Sequence, residues 1–232
     1  MAGRLGLVTI GQASQSGHET AYHRHAPDTE IVWAGALDGM SEQEARELES
    51  KGGSYPLHTG LQDGTRLAIS LDVLLPLVEK KASELADQGA DLIVVHCAGG
   101  FPELECSAPV LLPGDILPAV AGTLTKRRRL GIVTPIPGQI EPARNKWTND
   151  GFTVDVVAAA PESDEDTREA GRALANPDIE LIVLDCMGHH SGHQREVAAI
   201  SGRPVIVAQN VVAKVAGEYM SGVPAAASVE AG

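Results

Sequence analysis

Two cysteines stand at equivalent places in this chain. Cys97 ends the apolar segment DLIVVHC (residues 91–97), Cys186 ends the similar segment ELIVLDC (residues 180–186), and a glycine follows each cysteine two positions later. Ligands bind beyond the carboxyl ends of parallel strands, so two such strands in facing halves would bring both sulfur atoms to one cleft. A thiolate and a thiol on opposite faces of a planar carbanion can remove one proton and supply another, which inverts a stereocentre. The same pair could instead add to a double bond and release it after rotation.

The two cysteine segments belong to a repeat that divides the chain into halves. LGLVT (residues 5–9) returns as LGIVT (residues 130–134), ahead of each cysteine. Short apolar runs alternate with helical patterns, which is typical of parallel sheets covered on both faces. The predicted strands are 5–10, 31–37, 91–96, 130–134, 152–158, 180–185 and 204–208. We therefore predict an α/β fold of two pseudosymmetric α/β domains with parallel sheets and separate cores, residues 1–115 with 209–232 in one and 116–208 in the other.

Local signals place the connecting elements. Ser41, followed three residues later by glutamate, forms a capping box that opens a helix. Ser163 caps another helix that is predicted to end near Asn176, and apolar spacing predicts a helix over residues 71–88. The first half is longer than the second, and its extra residues contain a predicted hairpin turn at residues 63–64. This insertion is expected to lie beside the cleft.

The turn after each cysteine is expected to lead into a helix N-terminus, where free N–H groups lower the pKa of a thiol from about 8.5. Asp185, His96 or one of the histidines at positions 189, 190 and 193 is the predicted second group that orients and tunes the Cys186 thiol. An alternative is that both cysteines are small buried apolar residues without chemistry. Cys106 has no counterpart in the repeat and is interpreted as structural.

Composition and motifs exclude several classes of protein. The formal charge is −13, and the one basic run, residues 126–129, sits at a predicted helix end, so neither nucleic acid nor an anionic membrane is expected as a partner. No CxxC or HExxH spacing supports a metal, although a zinc hydrolase stays a remote alternative. No dinucleotide, P-loop or serine-elbow motif is found, so the sequence does not support a dinucleotide-binding, nucleotide-binding or serine-hydrolase function. We expect neither a signal peptide nor a membrane span, and three cysteines in this context favour the cytoplasm.

Four motifs carry a resemblance to a known family. They are Thr9, HCAGGFP (residues 96–102), TP (residues 134–135) and DCMGH (residues 185–189), and the likeness extends over residues 5–219. With them the chain resembles the AroM family, which is similar to the wider aspartate/glutamate/hydantoin racemase superfamily. That resemblance implies an Asp/Glu racemase-like pair of α/β domains with the active site between them, cofactor-independent chemistry, and a possible homodimer.

The resemblance implies roles for both cysteines. Cys97 matches the first catalytic thiol of the superfamily and Cys186 the second. Amino-acid racemases follow the first thiol with Asn-Thr and the second with Thr-His, whereas this chain has Ala-Gly at residues 98–99 and Met-Gly at residues 187–188. The side-chain donors that would hold an amino acid's carboxylate are therefore missing, and backbone N–H groups must replace them.

The favoured hypothesis is a cofactor-independent racemase or isomerase that acts on a small anionic carboxylate or a cyclic amide, with Cys97 and Cys186 as catalytic acid and base. A decarboxylase or lyase that uses one thiol, and a small-molecule binding protein without turnover, are the alternatives. The predicted substrate-binding residues are Thr9, Gly11, Gln12, Gly99, Gly100, Thr134, Gln139, Gly188 and His189.

Overall fold

The computed structural model describes residues 3–13 and 19–224 of the chain. The strands, in chain order, are β1 (Arg4–Thr9), β2 (Glu30–Gly35), β3 (Pro56–Gly60), β4 (Arg66–Ser70), β5 (Leu92–Val95), β6 (Val110–Leu111), β7 (Arg129–Thr134), β8 (Thr153–Ala158), β9 (Leu181–Leu184) and β10 (Val205–Val207). The helices are α1 (Glu19–His23), α2 (Glu42–Ser50), α3 (Leu71–Asp87), α4 (Pro113–Leu124), α5 (Ile140–Asn149), α6 (Asp164–Ala173), α7 (Ser191–Ser201) and α8 (Ala208–Ser221), with a short 3₁₀ turn at Pro137–Gln139 before α5.

Two four-stranded parallel sheets of matching order form the frame. The first has the order β2-β1-β5-β6 and the second the order β8-β7-β9-β10. The repeated strands also share their register, since Val8 lies opposite Val95 in one sheet and Val133 lies opposite Leu184 in the other. The predicted α/β fold of two pseudosymmetric halves with parallel sheets is thus confirmed.

The halves share a central core, so the expectation of two separate cores is wrong. Leu92 and Val94 of β5 lie in the same buried cluster as Leu181 and Val183 of β9, and α8 adds Val212 to it. The alternate residues of these strands face two further clusters, one in each half. Because side chains alternate across a strand, an entirely apolar strand packs on both of its faces. One face of each sheet therefore joins the halves, and the opposite face is covered by the helices of its own half.

The domain boundaries remain a prediction. The boundary after residue 115 falls inside α4, and the one after residue 208 falls at the start of α8. α8 follows β10 of the second sheet and packs against α1, α4 and β5. In the described part of the chain, no helix is both long and apolar enough to cross a bilayer.

The insertion in the first half is a hairpin, as predicted. β3 and β4 pair antiparallel on either side of a turn in which Gly64 has φ +92° and the Asp63 carboxylate accepts the N–H of Thr65 at 2.8 Å. Glycine suits this turn because a positive φ strains residues that carry a Cβ. The backbone N–H of Gln12 donates to Gly60 O at 3.0 Å, which fixes the hairpin to the loop after β1.

The predicted N-termini of α2 and α6 are confirmed, but the two cysteines differ in whether a helix follows them closely. Ser41 completes a reciprocal capping box at α2, and Ser163 caps α6, which ends at Ala173 rather than near Asn176. A helix begins five residues after Cys186.

The expectation that a helix follows Cys97 is wrong. Residues 98–109 run as an irregular loop, and the short strand β6 comes before α4. The backbone after this thiol returns to the sheet edge before any helix forms, so the first thiol has no helix N-terminus beside it.

Candidate active site

A cavity of about 240 Å³ lies between the halves, at the carboxyl ends of the repeated strands. Both Cys97 and Cys186 line it, each two residues beyond the end of its strand. The other predicted residues that line it are Thr9, Gly11, Gln12, Gly99, Gln139 and Gly188. Gly100, Thr134 and His189 do not line this cavity: Gly100 is exposed, and the other two are buried behind its wall.

The two thiols have matching backbone environments. The N–H of Gly99 faces the sulfur of Cys97 at 3.4 Å, and the N–H of Gly188 faces the sulfur of Cys186 at 3.4 Å. Such N–H groups stabilise a thiolate more than a neutral thiol. Two of the three glycine N–H groups that we expected to hold a ligand's carboxylate are therefore directed at sulfur.

The pKa values of both thiols are raised, whereas the sequence analysis predicted that they are lowered. Burial raises the pKa of Cys97 to about 11 and that of Cys186 to about 12. The N–H of Gly99 and the charge of Lys146 lower the pKa of Cys97, but they do not offset its burial. Each thiol also lies close enough to the other for a thiolate at Cys97 to raise the pKa of Cys186. The site therefore disfavours two simultaneous negative charges.

Thr134 and Gln139 form a buried pair in the wall of the second half. The Thr134 hydroxyl donates to Gln139 Oε1 at 2.8 Å, and both residues are almost fully buried. Gln139 lines the cavity, whereas Thr134 lies behind Gln139 and positions its side chain. Thr134 therefore lies outside the set of cavity residues to which the sequence assigned it.

Gln12 is a structural link rather than a free side chain. Its Nε2 donates to Met40 O at 2.8 Å, and its Oε1 accepts the N–H of Gln62 at 2.9 Å. Gln62 in turn donates from Nε2 to Ala13 O at 2.7 Å. These bonds attach the hairpin to the loop after β1. The Thr9 hydroxyl, at the end of β1, accepts the N–H of Gly11 at 3.5 Å.

His189 does not contact the cavity. Its side chain is fully buried, and Nδ1 lies 3.1 Å from Nδ1 of His193. Burial, with the neighbouring His193, lowers the pKa of His189 to about 3, so the ring is neutral at physiological pH. His190 instead caps α7, because its Nδ1 accepts the N–H of Gly192 at 3.0 Å. None of these three imidazoles lines the cavity.

Asp185 belongs to a buried ion pair that the sequence alone did not reveal. Its Oδ2 accepts from Lys146 Nζ at 2.6 Å and from Trp147 Nε1 at 2.7 Å. Lys146 also donates to Ala98 O at 2.9 Å, so a side chain of the second half reaches the turn after Cys97. The exposed fractions of the Lys146 and Asp185 side chains are 11% and 3%. Asp185 is thus paired with this cation, and its charge also raises the pKa of Cys186, while its predicted role in orienting that thiol stays a prediction.

Another ion pair at the cavity joins the two halves. Glu162, in the loop before α6, places Oε1 2.8 Å from Arg66 Nε and 3.4 Å from His58 Nε2. Both basic residues come from the hairpin, and all three residues line the cavity. The sequence predicts the hairpin beside the cleft, but no local pattern indicates that Arg66 pairs with Glu162, 96 residues away.

The two tryptophans of the chain differ in their relation to this site. Trp33 lines the cavity, and its ring meets that of His96 edge-on with the centroids 5.2 Å apart. Trp147 is fully buried and donates to Asp185, as described above. Trp33 is a cavity residue that the sequence-based prediction missed.

The described residues offer no metal centre. Among residues 3–13 and 19–224, no group of three or more His, Cys, Asp or Glu side chains is arranged to hold a metal ion. The thiols themselves, with the polar groups of the two halves, are the chemically competent groups in the cavity.

The family model described as "AroM protein" matches residues 5–220 of the chain. No curated protein sequence matches it. The match extends over both sheets and over every residue that lines the cavity.

Solved structures with this fold come from enzymes of several activities. Allantoin racemase from Klebsiella pneumoniae is 21% identical, with a TM-score of 0.64 over 95% of this chain and 88% of that one. Maleate isomerase Iso from Pseudomonas putida S16 is 15% identical, with a TM-score of 0.61 over 95% and 94%. Unliganded arylmalonate decarboxylase is 14% identical, with a TM-score of 0.60 over 97% and 94%. At these identities the likeness establishes a shared racemase-like fold.

Proposed function

The chain belongs to the AroM family, and from this premise we propose that it is a cofactor-independent racemase or isomerase of a small carboxylate or cyclic amide. One observation carries the proposal: Cys97 and Cys186 stand at equivalent strand ends in the two halves, and both line one cavity. The racemases and the isomerase that share the fold support an enzyme of this general kind.

The proposed reaction uses one thiolate and one thiol. The thiolate takes the proton from a carbon next to a carbonyl group, and the electron pair stays on the substrate as a delocalised carbanion. The opposite thiol then gives its proton to the other face of that carbon, which inverts its configuration. The cycle ends with the protonation states of Cys97 and Cys186 exchanged, so the reverse reaction starts from the product state.

The surroundings of the thiols suit this proton transfer. The N–H groups of Gly99 and Gly188 stabilise whichever sulfur is ionised. Burial raises the pKa of both thiols, and this makes each thiolate a stronger base toward a weakly acidic carbon. The cavity of about 240 Å³ limits the substrate to a small molecule.

Incubation with candidate carbon acids in deuterated water tests the proposal. The panel consists of allantoin, L-glutamate, L-aspartate, phenylmalonate and maleate, which follow the names of the structural neighbours. We expect NMR to show deuterium replacing a carbon-bound proton in at least one compound, at a rate that depends on enzyme concentration. If every panel member that binds does so without deuterium exchange or conversion to another compound, and binds equally well to a double cysteine-to-alanine variant, the protein is a binding protein and the proposal is wrong.

A decarboxylase is the second candidate function. Arylmalonate decarboxylase shares the fold, and loss of CO₂ followed by protonation of the carbanion needs only one thiol. Release of CO₂ from phenylmalonate, with activity retained after one of the two cysteines is replaced, would favour this alternative over racemisation.

The pH dependence of the reaction follows from the raised pKa values. The thiolate of the free enzyme is the minor form at neutral pH, because burial raises the pKa of Cys97 to about 11. We expect kcat/KM to rise about tenfold per pH unit between roughly pH 7 and 9, as the thiolate fraction rises. Initial rates at constant ionic strength would show this slope, with melting temperatures at each pH as the control for unfolding. A profile that is already flat at pH 7 would contradict the raised pKa.

We further propose the cytoplasm as the location and a homodimer as the assembly. Cys97, Cys106 and Cys186 are all free thiols, and free thiols persist in reducing compartments. The proposed partners are small molecules; a net charge of −13 does not favour nucleic acid or an anionic membrane.

A further inference from the structure

A carboxylate ligand in the cavity needs a counter-charge. The N–H groups of Gly99 and Gly188 face sulfur, and Lys146 is already bonded to Asp185 and to Ala98 O. Among the described residues that line the cavity, Arg66 is the one lysine or arginine. The site therefore has a defined cationic position, and it lies on the hairpin of the first half.

Arg66 is held in place by its partner strand. It lies opposite Gly60 in the β3–β4 register, and its guanidinium occupies the space that a Cβ at position 60 would fill. Gly60 O in turn accepts the N–H of Gln12. Glycine at this position therefore allows the guanidinium to fold across the strand, next to His58 on the same hairpin.

A carboxylate already occupies this cationic position. Glu162 Oε1 lies 2.8 Å from Arg66 Nε and 3.4 Å from His58 Nε2. Partial burial opposes ionisation of Glu162, but His58 and Arg66 lower the pKa of its carboxyl, so it is charged at neutral pH. The Glu162 side chain is 45% exposed, and it can therefore turn into solvent without burying its charge.

We propose that Arg66 and His58 form the carboxylate-binding subsite of the cavity, and that Glu162 occupies it as an internal substitute until the ligand's carboxylate displaces it. The inference rests on the proposed function and narrows its substrate class to carboxylates, ahead of neutral cyclic amides. Arg66 and His58 are binding residues, and Glu162 is a competitor for the same position.

Charge balance favours a ligand carboxylate that displaces Glu162 over one that binds beside it. The cavity already holds Glu162, Asp185 and, during reaction, a thiolate, while Arg66 and Lys146 are the cations that face them. An added carboxylate would raise the negative charge in a partly desolvated space. An exchange of the Glu162 carboxylate for the ligand's carboxylate leaves the local charge unchanged.

Binding measurements on the full chain test the subsite without requiring turnover. The probes are malonate and its neutral analogue malonamide, titrated by calorimetry at pH 7 against wild type, Arg66→Gln, Arg66→Lys and Glu162→Gln. Arg46→Gln, which breaks the exposed Arg46–Glu42 pair on α2, is the matched control. We expect Glu162→Gln to tighten malonate binding about 10-fold and Arg66→Gln to weaken it about 10- to 100-fold, because charged hydrogen bonds are removed.

Arg66→Lys is expected to lie between wild type and Arg66→Gln, since lysine keeps the charge but not the planar fork. Malonamide should bind with the same affinity, or equally poorly, in all variants. The proposed subsite is refuted if Arg66→Gln and wild type bind malonate with equal affinity, or if neither wild type nor Glu162→Gln binds malonate at all. Failure of the proposed function is a separate result, because it appears as absent deuterium exchange across the whole panel of carbon acids.

Discussion

Replacing either Cys97 or Cys186 by serine is expected to lower the rate of racemisation by about 10²- to 10⁴-fold, the range that general acid–base groups contribute. Each thiol serves one face of the carbanion, so both substitutions should have effects of similar size. A serine hydroxyl is a far weaker acid than a thiol, and it therefore neither ionises nor donates a proton at a useful rate in this pH range. The measurement is the loss of optical activity, with deuterium uptake, of whichever panel compound exchanges.

Cys106→Ser is the matched control for this experiment. Cys106 is also a partly buried free thiol, but it packs against the apolar cluster of the first half and does not line the cavity. Its substitution should leave the rate within about twofold of wild type, as expected for a site away from the chemistry. Retained activity in one of the two cavity variants would contradict the two-thiol mechanism and, together with CO₂ release from phenylmalonate, would indicate the one-thiol decarboxylase. Retained activity in both variants would remove the thiols from the mechanism.

Replacing Lys146 by methionine should destabilise the protein by about 3–5 kcal/mol, because removal of one partner leaves a buried charge uncompensated. Asp185 would keep the N–H of Trp147 but lose the cation at 2.6 Å, and Ala98 O would lose its donor. Urea unfolding monitored by circular dichroism gives the change in unfolding free energy.

Two further variants identify the cause of that loss. Arg46→Met removes an exposed ion pair on α2 and should change the unfolding free energy by less than about 1 kcal/mol. The double variant Lys146→Met/Asp185→Asn should recover part of the stability, since the amide is neutral and its oxygen still accepts from Trp147. A loss below about 1 kcal/mol for Lys146→Met alone would show that water screens this pair.

The repeat made most of the fold predictable. Two copies of the same strand motifs indicated two parallel sheets in pseudosymmetric halves, and the position of each cysteine after its strand placed both thiols at the carboxyl ends of the strands. Helix capping at Ser41 and Ser163 and the turn at Gly64 could also be predicted from the sequence, because each depends only on residues that are close neighbours in the chain. What the repeat could not show is how the halves meet, and hence that one core joins them.

The errors concern side-chain direction and distant partners. Thr134 ends its strand as predicted, but its hydroxyl turns toward Gln139 instead of the cavity. His189 follows Cys186 closely, yet the turn directs its ring into the interior. Neither direction is encoded by spacing alone.

The ion pairs were missed for a different reason. Lys146 pairs with Asp185 over 39 residues, and Arg66 pairs with Glu162 over 96 residues. Only the packing of complete elements brings such groups together. The thiol pKa values were also misjudged, because burial raises both of them and the helix end that was expected beside each sulfur is absent at Cys97.

The placement of the two indole rings gives the protein built-in optical reporters. Trp33 forms part of the cavity wall, whereas Trp147 is sealed in the interior against a carboxylate. Their intrinsic fluorescence therefore arises from two unequal surroundings, one open to ligand entry and one shielded from it. We therefore expect the emission of this chain to change when a ligand occupies the cavity, without any attached dye.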